Sequence, residues 1–416
     1  MMERSSYPSF KNQDKFMLSQ SIKSFLLALF VSSIQLVTLN DSSAAPTQRG
    51  FQIPLESITE STLDDLRNNW NANILRVQIG NNVEMDGKTG AAYDSMMEER
   101  FSLLDQKLPL IAAKNLKIIF CLYSPPGGFL TRESPSHHRM YAEPSLQDDY
   151  IAKWRQIITR YGTNSTIAAF DIDNEPAMRK ELLASGARTW NTLVLDVIKA
   201  IREINPSVQL IVKSLYGDPS KLTSLPAIND ANLTYAYNAY FYNSYQHTGI
   251  TSVPFSIARP SDAAILQNVQ KRVGNFYYKI YTRVEKKELP ASAFPPKLTV
   301  GEATTSSCAL ESGEFLNGLL TALESDVSVL SRRARDRALS KWRASRRKNR
   351  RAKKPVFKAP DFYRDVAHNS YTIHAYGESP FWDPRYNCDS SGNLTLASSD
   401  TDRAIVIKGM MSKNSF

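Results

Sequence analysis

Past residue 48 the chain alternates eight times between a short run rich in β-branched and aromatic residues and a longer amphipathic stretch. Few folds accept that rhythm. The strand candidates are Gly50–Pro54, Ile74–Ile79, Leu116–Leu122, Ile167–Ile172, Val208–Val212, Leu233–Tyr240, Leu298–Gly301 and Ser370–Tyr376. Several are nearly continuous apolar runs, the composition of strands covered on both faces. Between them lie segments such as Tyr150–Tyr161, with apolar residues every three or four positions. Asp64, Asp65, Asp148 and Asp149 read as first-turn residues, where negative charge suits the helix dipole. A chain of 416 residues can hold one barrel or two to three ordinary domains. Eight β/α passes over roughly 370 residues point to an α/β fold, a single (β/α)₈ TIM barrel with insertions. An open doubly wound sheet is the alternative, disfavoured because no glycine-rich phosphate loop follows an early strand.

Charge needs to be located before it is interpreted. The chain carries 51 Lys and Arg against 41 Asp and Glu. Of these, 14 cations and one Asp fall between Ser331 and Lys358, so the remainder holds 37 cations against 40 acids. The basic surplus is therefore local, and it does not make the whole protein a nucleic-acid binder. Segment 331–358 sits just before the eighth strand, where a connection normally takes only a few residues. Runs such as Arg346–Lys354 repel themselves and bury no core, which reads as a disordered insertion. Its functional alternative is a tether to an anionic polymer or lipid. Nucleic acid is not an expected partner.

Lys15 and Lys23 precede a 15-residue apolar run, Phe25–Leu39, followed by the small residues Ser42–Ala45. That is a signal-peptide layout, too short for a span of about 20 residues. Residues 1–45 are read as the leader and 46–416 as the functional domain, secreted or periplasmic, monomeric and without a membrane span. Met1 and Met17 both serve as candidate starts. Of the three cysteines, Cys121 lies in an apolar run and reads as core, whereas Cys308 and Cys388 leave pairing open. No cysteine or histidine spacing forms a metal site, and no Gly-x-Ser-x-Gly elbow is present.

In a barrel the C-terminal strand ends converge on the functional face. The fourth strand candidate runs into Asp173-Asn-Glu-Pro176 and the seventh into Val300-Gly-Glu-Ala303. Two carboxyl groups in such places suit glycoside cleavage: a retaining enzyme needs an acid and a nucleophile about 5–5.5 Å apart.

The chain resembles glycoside hydrolase family five, the cellulase family of retaining barrel enzymes, over most of residues 49–415. The likeness rests on Arg49-Gly-Phe51, Leu75-Arg-Val77, Leu122-Tyr-Ser-Pro-Pro-Gly-Gly128, Trp154-Arg155 and Ile167–Pro176. It continues through Gln246-His-Thr-Gly249, Thr299–Glu302, and His374-Ala-Tyr376 with Trp382. The resemblance implies Glu175 as acid/base, Glu302 as nucleophile, Asn174 at the substrate 2-hydroxyl and Arg76 beneath the nucleophile. It also implies Tyr240 against Glu302 and Trp382 as a sugar-stacking floor. No cofactor is expected.

Two positions depart from the family. Tyr123 and Asn238 stand where histidines normally line the pocket and tune the carboxylates. His137 and His138, in the loop after the third strand, are possible substitutes, although loop histidines are more often simply solvated. The resulting expectation is an endoglucanase-like glycosidase acting on β-1,4-glucan, with mannan, xylan and β-1,3-glucan open. A carbohydrate-binding barrel with weakened catalysis is the alternative.

Overall fold

Eight parallel strands close into a barrel in the computed structural model, which describes residues 48–80, 87–131, 134–238, 260–294, 296–303, 371–373, 376, 384–388 and 394–412. The expected 1–45 leader, Cys308, the 331–358 segment, Tyr240 and Trp382 lie outside the described residues. In chain order the strands are β1 (Arg49–Pro54), β2 (Ile74–Ile79), β3 (Lys117–Leu122), β4 (Phe129–Thr131), β5 (Ser134–His138), β6 (Ile167–Asp171), β7 (Leu210–Lys213), β8 (Leu233–Asn238), β9 (Leu298–Ala303), β10 (Tyr371–Ile373), β11 (Tyr386–Cys388) and β12 (Leu394–Leu396). The barrel runs β1-β2-β3-β6-β7-β8-β9-β10 and back to β1, while β4–β5 and β11–β12 are antiparallel hairpins. Gly50 is required where β1 meets β2, because a Cβ there would stand 1.6 Å from the Ile74 carbonyl oxygen.

The period-two geometry of a strand sorts these residues into two environments. Leu75, Val77, Ile118, Phe120, Phe170, Leu210, Val212, Leu233 and Tyr235 belong to the large core shared with the helices. A separate small cluster, Ala169, Ile211 and Ala236 with Ile119 against it, fills the barrel interior. One step further along the same strands toward their C-terminal ends, the inward residues become Cys121, Asp171, Lys213 and Asn238, all buried. The interior thus changes from apolar to polar within a single layer of side chains, as expected where the barrel opens toward a site.

The outer layer follows its apolar spacing. Helix α1 (Glu60–Asp64) continues into a π-helical turn, α2 spans Gly90–Ala113, α3 Ser145–Tyr161, α4 Trp190–Ile204, α5 Pro260–Glu285 and α6 Asp402–Met411. α2 buries Tyr93, Met97, Phe101, Leu104, Leu108 and Ile111, and α3 buries Leu146, Tyr150, Trp154, Ile157 and Tyr161, in each case one stripe of a 3.6-residue period. Thr59 caps α1 by accepting from the Thr62 N–H, and Thr189 caps α4 in the same way from Thr192. The early Thr59 cap corrects the first-turn reading of Asp64 and Asp65, which lie where α1 passes into the π turn. Asp65 instead accepts from the Trp70 indole at 3.0 Å and from the Tyr376 hydroxyl. Asp148 does occupy the first turn of α3. Among the described residues no helix is long and apolar enough to cross a membrane. Cys121 is free and buried, and Cys388 is disulfide-bonded.

Candidate active site

Arg76, buried at 1% exposure on β2, organises the floor of the barrel mouth. Its guanidinium donates to Asp171 Oδ2 through Nε at 2.9 Å and Nη2 at 2.7 Å. Nη2 also reaches Asn174 Oδ1 at 2.9 Å and Cys121 Sγ at 2.8 Å, and Nη1 donates to Gln52. A planar fork with several fixed donors is what such a convergence of acceptors needs, and lysine could not replace it. Lys213, fully buried on β7, brings a second cation to the same place: Nζ lies 3.6 Å from Asp171 Oδ2 and 3.4 Å from Asn174 Oδ1.

Glu175 follows immediately, and three elements hold the backbone around it. The Asn174 N–H donates to the Leu122 carbonyl at the end of β3, the Tyr216 N–H to the Pro176 carbonyl, and the His138 N–H to the Ala177 carbonyl. The Glu175 side chain is half-buried, and its Oε1 accepts from Asn238 Nδ2 at 2.5 Å. Tyr216 and Gly217 both adopt left-handed backbone, at φ 57° and 62°. This turn packs closely on Asn238: a Cβ at Gly217 would come within 2.7 Å of Asn238 Nδ2. Strain of this kind gathers at functional sites. Glu302 is placed by its backbone, on β9 opposite Asn238 in the β8–β9 register.

Asp173 is different. It is 1% exposed, and among the described residues neither carboxyl oxygen has a hydrogen-bond partner of good geometry. Burial, reinforced by the charge of Asp171, holds its carboxyl well above the usual carboxylate range, against the pull of Lys213 and the Glu175 backbone N–H. His138 Nδ1 stands 3.8 Å from Asp173 Oδ2 and has no hydrogen-bond partner among the described residues. Burial, with His137 next to it, lowers the His138 imidazole to about 3. Burial also drives the hydroxyls of Tyr141 and Tyr150 upward, with Asp173 adding to the effect.

The two histidines are therefore not solvated, as loop histidines usually are. The β4–β5 hairpin folds them under the β6 loop, where His137 is 1% and His138 3% exposed. His137 Nδ1 accepts from the Arg179 N–H at 2.9 Å, which puts the proton of the neutral ring on Nε2. His138 packs parallel to Tyr141 and against Phe129.

Of the residues expected from sequence, Arg76 meets Asn174 and Asn238 meets Glu175. Tyr123 follows β3 with its N–H on the Ile79 carbonyl. The residues missed were Asp171, Asp173, Lys213 and Gln52. For Asp171, Lys213 and Gln52 the signal was a polar residue among the apolar neighbours of a strand, whereas Asp173 stands in the loop just past β6. Among the described residues no cluster of three or more His, Cys, Asp or Glu forms a metal site.

Residues 40–290 match the family model Cellulase (glycosyl hydrolase family 5). Endoglucanase C of Acetivibrio thermocellus is 27% identical over 195 residues, 47% of this chain and 50% of the relative. The chain thus spans about half the length of the curated relatives it matches. Among solved structures, an endoglucanase of Pseudomonas stutzeri superposes with a TM-score of 0.51 at 14% identity, covering 89% of this chain and 95% of the other. Endo-glycoceramidase II of Rhodococcus sp. superposes with a TM-score of 0.55 at 12% identity, covering 88% and 80%. At such identities the likeness concerns the fold.

Proposed function

The chain belongs to glycosyl hydrolase family 5, the cellulase family, and from that premise we propose that it is a retaining, endoglucanase-type glycosidase that cleaves β-1,4-glucan by double displacement. Glu302 is the nucleophile and Glu175 the acid/base. The observation that carries this reading is the position of Asn238, which bonds Glu175 Oε1 and lies opposite Glu302 across the β8–β9 ladder. The matched stretch contains Arg76, Asn174, Glu175 and Asn238 and ends before Glu302. The role of Glu302 rests on its place near the end of β9.

In the first step the Glu302 carboxylate attacks the anomeric carbon, the glycosidic C–O bond breaks, and Glu175 gives its proton to the departing oxygen. In the second step water attacks the glycosyl ester, Glu175 takes the water proton, and the Glu302 carboxylate leaves. Glu175 must be neutral in one step and ionised in the next. The Asn238 amide donates to it in both, and unlike the histidine usual in the family it does not titrate in the working range. Arg76 and Lys213 bring two positive charges against Asp171, leaving a surplus in the floor that favours ionised carboxylate nearby. The family resemblance assigns Asn174 to the sugar 2-hydroxyl, Tyr123 and Trp382 to the sugar subsites, and Tyr240 to the nucleophile. The domain spans residues 46–416, is exported to the periplasm or the medium on its 1–45 leader, and works as a monomer.

The test is hydrolysis of soluble β-1,4-glucan, β-1,3-glucan, mannan and xylan by the purified protein beside Glu175→Gln and Glu302→Gln. The expected result is cleavage of β-1,4-glucan, reduced about 10²- to 10⁴-fold in Glu175→Gln and to background in Glu302→Gln. Full activity in Glu302→Gln would overturn the mechanism. Oligosaccharide binding without any cleavage would make the protein a carbohydrate-binding barrel.

A further inference from the structure

Lys213 is not part of the family's catalytic pattern, yet it occupies the centre of the site. It is fully buried on β7, its backbone carbonyl accepts from the Trp190 indole at 3.0 Å, and its ammonium projects between Asp171 and Asn174. A buried ammonium is costly unless it is paired, and its pairing here is shared with Arg76. Both cations converge on one atom: Asn174 Oδ1 receives Arg76 Nη2 at 2.9 Å and Lys213 Nζ at 3.4 Å. An amide has one acceptor end and one donor end. With two cations against the acceptor end, turning the amide over would set its NH₂ group against both, so the donor end is fixed outward.

We infer that Lys213 is a positioning residue that, together with Arg76, locks the Asn174 amide so that only its Nδ2 donor faces the substrate. The inference rests on the glycosidase reading and adds to it the group that sets the polarity of the 2-hydroxyl contact. Arg76 alone does not complete the lock, because its fork also serves Asp171, Gln52 and Cys121. Without Lys213, the oxygen keeps one cation and the amide gains freedom to rotate.

The test compares a 4-nitrophenyl β-cellobioside with its counterpart lacking the 2-hydroxyl on the sugar that is cleaved. Lys213→Met should lose about tenfold more kcat/KM on the hydroxylated substrate than on the deoxy one. Lys213→Arg should recover part of that difference, and in an Asn174→Ala background Lys213→Met should add no difference between the substrates. Equal losses on both substrates would overturn the inference by reducing Lys213 to a support of the fold, and so would no loss on either. A second measurement needs no turnover: the ratio of the two ligands' Kd values in Glu302→Gln protein, with and without Lys213→Met. The ratio should collapse toward one when Lys213 is replaced, and an unchanged ratio would overturn the inference. Normal activity that survives Glu302→Gln would refute the glycosidase mechanism instead, so the two failures are distinct.

Discussion

Asp171, the last residue of β6, and Asp173, just past it, stand two residues apart and are each 1% exposed, but they are treated in opposite ways. Asp171 takes the Arg76 fork on one oxygen and has Lys213 close by. Asp173 has a lowered imidazole as its neighbour, aromatic walls, and no hydrogen-bond partner of good geometry among the described residues. Burial alone does not decide whether a carboxyl is charged; the partners that the fold delivers do. The cations come from β2 and β7 and meet Asp171 on the barrel side. The β4–β5 hairpin supplies Asp173 with only a histidine that burial has already made neutral. Glu175 lies just beyond both, so a paired charge and a suppressed one flank the acid/base.

The largest effect should come from breaking the paired side. Asp171→Asn leaves Arg76 and Lys213 facing a neutral amide, and Arg76→Met leaves the Asp171 carboxylate with Lys213 alone, 3.6 Å away. Each should lower the free energy of unfolding by about 3–5 kcal/mol in urea titration, and a loss below about 1 kcal/mol would erase the contrast.

Asp173→Asn should do the reverse. The folded protein keeps a proton on Asp173 that the unfolded chain releases near pH 4, so the wild type loses stability as pH rises from about 4 toward the raised folded value. The asparagine variant escapes that loss, gaining relative stability by about 1.4 kcal/mol for each pH unit within the window. A variant less stable than wild type at pH 7 would show Asp173 to be ionised and paired.

His138→Gln probes the other partner, with the opposite sign of pH dependence. A folded value of about 3 against an ordinary 6.5 means that the unfolded chain takes up a proton first, so stability falls as pH drops from 6.5 toward 3. The variant should be spared about 1.4 kcal/mol at pH 5.5, one unit into that window. An acid limb as steep as that of the wild type would contradict the neutral assignment.

Gly217→Ala should give the smallest change in stability, about 1 kcal/mol for left-handed backbone. It should also lower kcat, because the new Cβ presses on Asn238 and so on Glu175.

Much of this architecture could be read in advance, for identifiable reasons. The candidate Ile74–Ile79 coincides with β2, where apolar and β-branched residues alternate with Arg76 and Gln78, and the others shift by one to three residues at their ends. Arg76 and Asn238 stand alone among apolar neighbours, but they, like Asn174, are singled out by the resemblance to glycoside hydrolase family five, and Glu175 by its place at a strand end. Asp171 and Lys213 stand equally alone, but the pairing of one strand's charge with another's is a tertiary event that spacing does not reveal. Ser134–His138 has no strand composition, and its extended form is imposed by β4 and by the Ala177 and Arg179 contacts. The burial of His138 next to Asp173 follows from that hairpin and could not be seen from the spacing.

The most direct test of the double-displacement account is the anomeric configuration of the first product. Proton NMR in the opening minutes of cellopentaose cleavage, before mutarotation, should show new reducing ends as the β anomer. The α anomer appearing first would mean a single inversion by water and would exclude Glu302 as the nucleophile.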